Sequence, residues 1–242
     1  MNKIYIFDVD GTLTPSRLRI TKEFAKFFDK WSDKNKYYLV TGSDLEKTKE
    51  QLPIAYIDRA EAIFTCCGNQ MWRDNDLIYD NKFELTSKLK NSLEVVLMSS
   101  PYPHRYGNHI EDRGSMVNFS IVGRNCTQEQ RDEFFKWDEE KGERRKISTF
   151  LKHKFKDLDA VIGGQISIDI YPKGMDKSQI IEHIEDIEEK YCPDKYIFIG
   201  DRTMEGGNDY PLAKLMTGKC FRDFYQTEGP EQTQKILESL ID

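Results

Sequence analysis

Residues 3–17 read KIYIFDVDGTLTPSR. The segment 3–7 is a short apolar run without polar alternation, the pattern of a strand buried on both faces of a parallel sheet. It ends in two aspartates one residue apart, followed by Gly-Thr. A strand that simply ran out into solvent needs no such order. Asp8 and Asp10 therefore stand at the carboxyl edge of the strand, where open α/β sheets place their ligands.

Outward from this stretch the chain alternates strand and helix. Phe24, Phe27, Phe28 and Trp31 recur at i, i+3, i+4 and i+7, one face of a helix capped by Thr21. KYYLV (36–40) reads as a second strand, 44–52 as a helix and AIFTCC (62–67) as a third strand. Late in the chain Ile180, Ile181, Ile184, Ile187 and Tyr191 form a helical stripe. KYIFIG (195–200) follows as a strand, and a terminal helix covers about 231–241. Alternation of this kind predicts an α/β fold, an open parallel sheet covered on both faces.

The middle differs. SMVNFSIVGR (115–124) and QISIDIYP (165–172) alternate with period two, as half-exposed strands do. A charged helical stretch, about 127–156, lies between them. The expected organisation is a core of 1–81 and 175–242 carrying an α+β insert, 82–174, over its active-site edge.

The chain has 242 residues and a formal net charge of −6, which disfavours nucleic acid as a partner. No apolar run approaches the ~20 residues of a membrane span, and the amino-terminal stretch is too soon acidic for a signal peptide. Five cysteines, an odd number with no CxxC spacing, point to reduced thiols in a cytoplasmic protein.

Chemistry concentrates just past the strands. A carboxylate such as Asp8 can attack a phosphoryl group. Attack of anion on anion requires cancelled charge, which Mg²⁺ held by carboxylates supplies. VTGSD (40–44) offers the hydroxyls of Thr41 and Ser43 to a phosphate oxygen, and the pattern does not choose between them. IGDRTMEGGND (199–209) offers Asp201, Asn208 and Asp209, the last two equally able to brace the loop. Lys177 opens the helix after the insert and can neutralise the attacked group. Together these form a phosphoryl-transfer set.

DVDGT after an amino-terminal strand, a later lysine and GDRTMEGGND resemble the haloacid dehalogenase superfamily. The resemblance implies a Rossmann-like core with a cap. It makes Asp8 the nucleophile and Asp10 the general acid/base, whose backbone carbonyl also meets the metal. Asp201 becomes the distal Mg²⁺ ligand. FDVDGTLTPSR, RGSMVNFSIVGRNCTQEQR (113–131), GGQISIDIYPKGMDK (163–177) and GDRTMEGGNDY (200–210) resemble, more narrowly, the eukaryotic-type phosphomannomutases.

That resemblance implies a hexose phosphate held by Arg17, Arg113, Arg124 and Arg131, with Ser167 and Asp169 on sugar hydroxyls. It implies interconversion of mannose 6-phosphate and mannose 1-phosphate for GDP-mannose synthesis, priming by a hexose 1,6-bisphosphate, and a homodimer through the cap. A Mg²⁺-dependent sugar-phosphate phosphatase and a non-catalytic sugar-phosphate sensor are the alternatives.

The residues speak to part of this directly. Ser167 and Asp169 share a strand face opposite Ile166, Ile168 and Ile170, free to meet a polyol. Asn118, Ser120 and Arg124 share parity if their strand persists. Thr127–Gln130 forms a capping box, which puts Arg131 in the first turn of a helix, where an anion would meet both the arginine and the amides. Arg131 could also simply pair with Glu129 or Asp132. The sequence departs from the family at VTGSD, at CCGN (66–69), at Met175 and at YPLAKLMTG (210–218), where no second cation site is expected. GERRK (142–146) reads as a solvated helix face.

Overall fold

The computed structural model describes residues 2–188, 194–218 and 221–240. Tyr191, Cys192, Cys220 and the last residue of the expected terminal helix, Ile241, lie outside the described residues. The chain divides into two compact units. One comprises 1–80, 176–205 and 209–242; the other comprises 81–175 with 206–208.

In the first unit β1 (Lys3–Asp8) leads to α1 (Lys22–Ser32), β2 (Lys36–Val40), α2 (Leu45–Gln51), α3 (Ile54–Arg59) and β3 (Ile63–Thr65). A hairpin of β4 (Gln70–Arg73) and β5 (Asp76–Asp80) follows. The second unit contributes α4 (Ser87–Ser99), β6 (Ile110–Asp112), β7 (Val117–Phe119), α5 (Gln128–Lys141), α6 (Glu143–Lys154), β8 (Leu158–Gly163) and β9 (Ser167–Pro172). The chain then returns to the first unit with α7 (Ile180–Glu188), β10 (Lys195–Gly200), α8 (Tyr210–Met216), β11 (Arg222–Gln226) and α9 (Pro230–Ser239).

The first unit's sheet runs β11-β10-β1-β2-β3-β4-β5. The pairings from β11 to β3 are parallel and the hairpin adds two antiparallel strands. Side-chain alternation divides β1 between two cores. Tyr5 and Phe7 join Phe24, Phe28 and Trp31 of α1, while Ile4 and Ile6 join Ile180, Ile181 and Ile184 of α7. The central strands are thus apolar on both faces, which is why 3–7 shows no alternation. Thr21 caps α1 by accepting from the Phe24 amide at 3.3 Å.

Several expectations need correction. The strand expected over 62–67 ends at Thr65, because Cys66 and Cys67 turn into left-handed backbone (φ +51° and +58°). The hairpin and α3 were not among the expected elements. The hairpin's signal is Asp74-Asn75, both at positive φ as a two-residue type I′ turn requires. The helical stretch of 127–156 is two helices, broken where Gly142 takes φ +63°.

The second unit carries an antiparallel sheet of order β6-β7-β9-β8. Val117, Phe119, Ile168 and Ile170 pack there with Leu93 of α4, Phe134 of α5 and Leu151 of α6. The strands are not half-exposed as expected. The polar row of Asn118, Ser167 and Asp169 is itself buried, its members bonded to neighbours. The strand read through 115–124 stops at Phe119. GERRK is not a solvated face throughout, since Arg144 is buried and donates from Nε to Asp138 at 2.6 Å.

Phe28 packs edge-on to Phe7, Tyr37 and Tyr56 and stacks on Phe24 and Trp31. Phe28→Ala should cost about 3–5 kcal/mol of stability. Urea titration checks this, and a loss below about 1 kcal/mol would show that this aromatic core does not hold α1 to the sheet.

Candidate active site

β1 and β10 lie side by side in parallel register, with Phe7 opposite Ile199. The chain moves outward from β1 through β2 and β3, then later returns to β10 on the other flank of β1. Such a reversal opens a crevice at the carboxyl ends of the two strands. Asp8 ends β1, and Asp201 follows Gly200 at the end of β10. Gly11, at φ +80°, lets the loop after β1 close on the second carboxylate, since a Cβ there would stand 2.6 Å from Asp201 Oδ2.

Lys177 joins the cluster from the other side. It opens a single 3₁₀ turn, Lys177–Gln179, capped by Asp176, whose Oδ1 accepts from the Ser178 amide at 2.8 Å. Its Nζ donates to Asp8 Oδ1 at 2.5 Å and to Asp209 Oδ1 at 2.7 Å, and the lysine is fully buried. Asp209 Oδ2 accepts from the Arg202 amide at 2.9 Å, which ties the loop 202–209 into a ring. Asp209 therefore braces its loop and belongs to the site.

Burial pushes the Asp8 carboxyl well above the usual carboxylate range; Lys177 pulls it down, and Asp209 and Asp201 push it further up. Burial works against the Lys177 ammonium, but Asp209 and Asp8 overcome it and hold its affinity for the proton well above the ordinary value. Lys177 keeps its proton because two carboxylates face one ammonium.

Asp10 has different surroundings. Its Oδ1 accepts from the Arg17 amide at 2.8 Å and from Gln51 Nε2 at 2.9 Å, and its Oδ2 accepts from Ser43 Oγ at 3.3 Å. Arg17 reaches Asp10 through its backbone, at φ +65°. The Ser43 amide donates to Thr41 Oγ1 at 3.0 Å. The two hydroxyls are thereby distinguished, with Ser43 facing Asp10 and Thr41 bracing the loop. Gln51 had no distinguishing sequence signal; it is one polar residue in a charged helix.

Asp8, Asp201 and Asp209 each offer a carboxylate oxygen, and these lie within 4.8 Å of one another. Among the described residues, Lys177 and Arg202, whose Nε is 3.4 Å from Asp201 Oδ2, are the cationic groups in contact with them. Three carboxylates against two cations leave a negative charge over. An all-oxygen set, buried at Asp8 and Asp209 and partly buried at Asp201, with excess negative charge fits a hard divalent cation such as Mg²⁺. Asp209 adds a carboxylate to the Asp8 and Asp201 of the sequence reading, in which Asp10 contributes its backbone carbonyl; the Asp10 side chain is engaged elsewhere.

The second unit holds the other expected residues. Arg113 donates to Glu111 Oε2 from Nη2 at 2.5 Å and from Nε at 3.1 Å. Arg124 Nε lies 3.6 Å from the same oxygen, and its Nη1 donates to Ser167 Oγ at 2.8 Å. Asn118 Nδ2 donates to Asp169 Oδ1 at 2.7 Å. Gly163 permits this packing, since a Cβ there would fall on the Asp169 carboxylate. Arg131 is buried in the first turn of α5. Among the described residues neither Glu129 nor Asp132 pairs with it; Asp132 accepts from Gln128 and Gln165 instead.

A family model described as eukaryotic phosphomannomutase matches residues 24–242. The chain is 38% identical over 219 residues to a phosphomannomutase of Encephalitozoon cuniculi, covering 86% of this chain and 83% of that one. It is 38% identical to phosphomannomutase 1 of Dictyostelium discoideum, covering 99% and 97%. It is 36% identical to the phosphomannomutase of Saccharomyces cerevisiae, covering 98% and 94%. Among solved structures, a haloacid dehalogenase-like hydrolase from Bacteroides thetaiotaomicron superposes with a TM-score of 0.63 at 13% identity over the full length of both chains. At that identity the likeness shows the fold alone. No helix among the described residues is long and apolar enough to cross a membrane.

Asp201 gives this cluster a pH dependence. Burial, then Asp209, raise its carboxyl from 3.8 to about 7, against the pull of Arg202 and Lys177. A folded-state value above the unfolded one means that, without a cation, stability falls as pH rises from about 4 to about 7, and the full penalty stands above that. A cation binds the deprotonated form. Mg²⁺ should therefore raise the melting temperature of chelator-treated protein more at pH 8 than at pH 6. Equal shifts at the two pH values would remove Asp201 from the cation's ligands.

Proposed function

The chain belongs to the eukaryotic phosphomannomutase family, and from that membership we propose that it interconverts mannose 6-phosphate and mannose 1-phosphate through a phosphoryl group carried on Asp8. The observation that carries this reading is the buried Lys177 ammonium shared between Asp8 and Asp209. A nucleophilic carboxylate must be ionised; burial and the neighbouring carboxylates raise the Asp8 carboxyl, and Lys177 is the group that pulls it back toward the ionised form.

A hexose 1,6-bisphosphate primes the enzyme. A carboxylate oxygen of Asp8 bonds to phosphorus as the bond from phosphorus to the sugar oxygen breaks, and Asp10 gives its proton to that departing oxygen. In the return direction Asp10 takes the proton from the accepting sugar hydroxyl as that oxygen attacks the phosphoryl group. Asp8 and Asp10 sit in contrasting surroundings, one against an ammonium and the other against neutral donors, as two carboxyls with divided roles require. Ser43 orients a phosphoryl oxygen, and Thr41 holds the loop that carries it. Mg²⁺, when bound by Asp8, Asp201, Asp209 and the Asp10 carbonyl, supplies neutralisation of phosphoryl charge.

Arg17, Arg113, Arg124 and Arg131 take the phosphate that is not reacting, and Ser167 and Asp169 take sugar hydroxyls. Buried donors support this assignment, since Arg124 Nε and Nη2 are enclosed without a hydrogen-bond acceptor among the described residues. Guanidinium forks suit a phosphate geometrically.

Mannose 1-phosphate incubated with catalytic glucose 1,6-bisphosphate should yield mannose 6-phosphate with little free phosphate. Free phosphate as the main product would make the chain a sugar-phosphate phosphatase. Asp8→Asn should keep the fold and lower turnover by roughly 10⁴ or more. Retention of a tenth of the activity would take Asp8 out of the nucleophile's role. The resemblance also implies a homodimer through the insert, so light scattering at micromolar concentration should give twice the 28.4 kDa chain mass; a monomer would sink that assignment.

A further inference from the structure

We propose that Glu111 is a positioning residue for the substrate's phosphate, setting the two guanidinium forks of Arg113 and Arg124 through a single carboxylate oxygen. The inference rests on the reading that these arginines bind the non-reacting phosphate.

The geometry begins with strand register. Glu111 lies in β6 opposite Asn118 of β7, and Asn118 lies opposite Asp169 of β9. The three share one polar row across the sheet. Arg113 follows Glu111 by two residues, just past the end of β6 at Asp112, and its side chain turns back to the same carboxylate. Arg124 arrives by another route. Its segment leaves the strand after Phe119 and folds back, and its amide donates to Asn108 O at 2.7 Å, beside the start of β6. Without that return Arg124 would not meet Glu111.

Glu111 Oε2 then serves both arginines, accepting from Nη2 and Nε of Arg113 and lying 3.6 Å from Nε of Arg124. The two arginine side chains are only 4% and 8% exposed, and two bare guanidinium groups so enclosed would repel one another. The carboxylate joins them into a unit of net charge +1. Ser167 fixes Arg124 from its other end, at Nη1. What remains is Arg124 Nη2, buried and without a hydrogen-bond acceptor among the described residues, with Nε in the same state at its longer distance from Glu111. A buried donor in that condition costs stability unless an acceptor arrives, and a phosphate oxygen is the acceptor for which a guanidinium is shaped.

Two physical effects of Glu111 have opposite signs. As a negative charge beside an anion site it weakens phosphate binding. As the anchor of two forks it strengthens binding by removing the freedom they would otherwise lose on contact. The shared oxygen and the enclosure favour the second effect.

Titration calorimetry with mannose 6-phosphate and with inorganic phosphate reads the sign. Glu111→Ala should weaken mannose 6-phosphate by about tenfold or more, and raise KM while leaving kcat within about threefold. Glu111→Gln keeps an acceptor oxygen in place and should fall between Glu111→Ala and wild type. Unchanged or tighter binding in Glu111→Ala, with Arg113→Ala and Arg124→Ala both weakened, overturns this inference alone. Unchanged binding in the two arginine variants overturns the assignment of the arginines to phosphate, and this inference with it. Should Glu111→Ala fail to fold, Glu111→Gln decides, with binding equal to or tighter than wild type as the overturning result.

Discussion

A single ammonium group, Lys177 Nζ, lies fully buried between Asp8 and Asp209, and much of the first unit is arranged to allow that. Charges of this kind are costly to bury and persist only when closely paired. Three separate pieces of chain must therefore converge within hydrogen-bond distance: the end of β1, the turn ahead of α7, and the loop between β10 and α8. Adjacent parallel strands make this possible. β1 and β10 end level, so the residues just past them meet at the same edge. Asp176 caps the turn that delivers the lysine, and the Arg202 amide closes the loop that delivers Asp209.

The same arrangement leaves charge over. Lys177 and Arg202 do not balance Asp8, Asp201 and Asp209; burial, and then Asp209, raise the Asp201 carboxyl to about 7. A divalent cation relieves that excess. Stability and chemistry are coupled here, because the carboxylates that would hold the cation are the ones whose burial the fold must offset. Asp10 adds a smaller push on Asp201, and its own side chain is held by neutral donors from Arg17, Gln51 and Ser43.

The second unit solves a related problem with a different device. Its polar groups are gathered by cross-strand register in an antiparallel sheet, with the apolar face given to α4, α5 and α6. Parallel strand ends concentrate carboxylates at an edge, whereas an antiparallel face spreads polar side chains in a row. Glu111, Asn118 and Asp169 show the second pattern, with Arg113 and Arg124 drawn to one end of it.

The fold class, the buried central strands and the position of Asp8 were legible in residues 3–17, because a parallel strand has to be apolar on both faces and its end has to be polar. Asp201 was legible for the same reason, since it lies beside the end of an apolar run, and Lys177 because it opens the helix that follows the insert. Local chemistry was likewise enough for the Thr21 cap and the Thr127–Gln130 capping box, both complete within a few residues. Long-range partners were not legible. Gln51 reaches Asp10 across 41 positions and Lys177 reaches Asp8 across 169, and no local pattern records such distances. Period-two alternation correctly separated Asp169 from Ile168, yet it could not tell a solvated polar face from a buried, bonded one. The path of Arg124 was hidden as well, since its orientation comes from a strand that stops at Phe119 and a chain that folds back. Sequence periodicity reports which way a side chain points along its own element; only the packing of elements decides what it meets there.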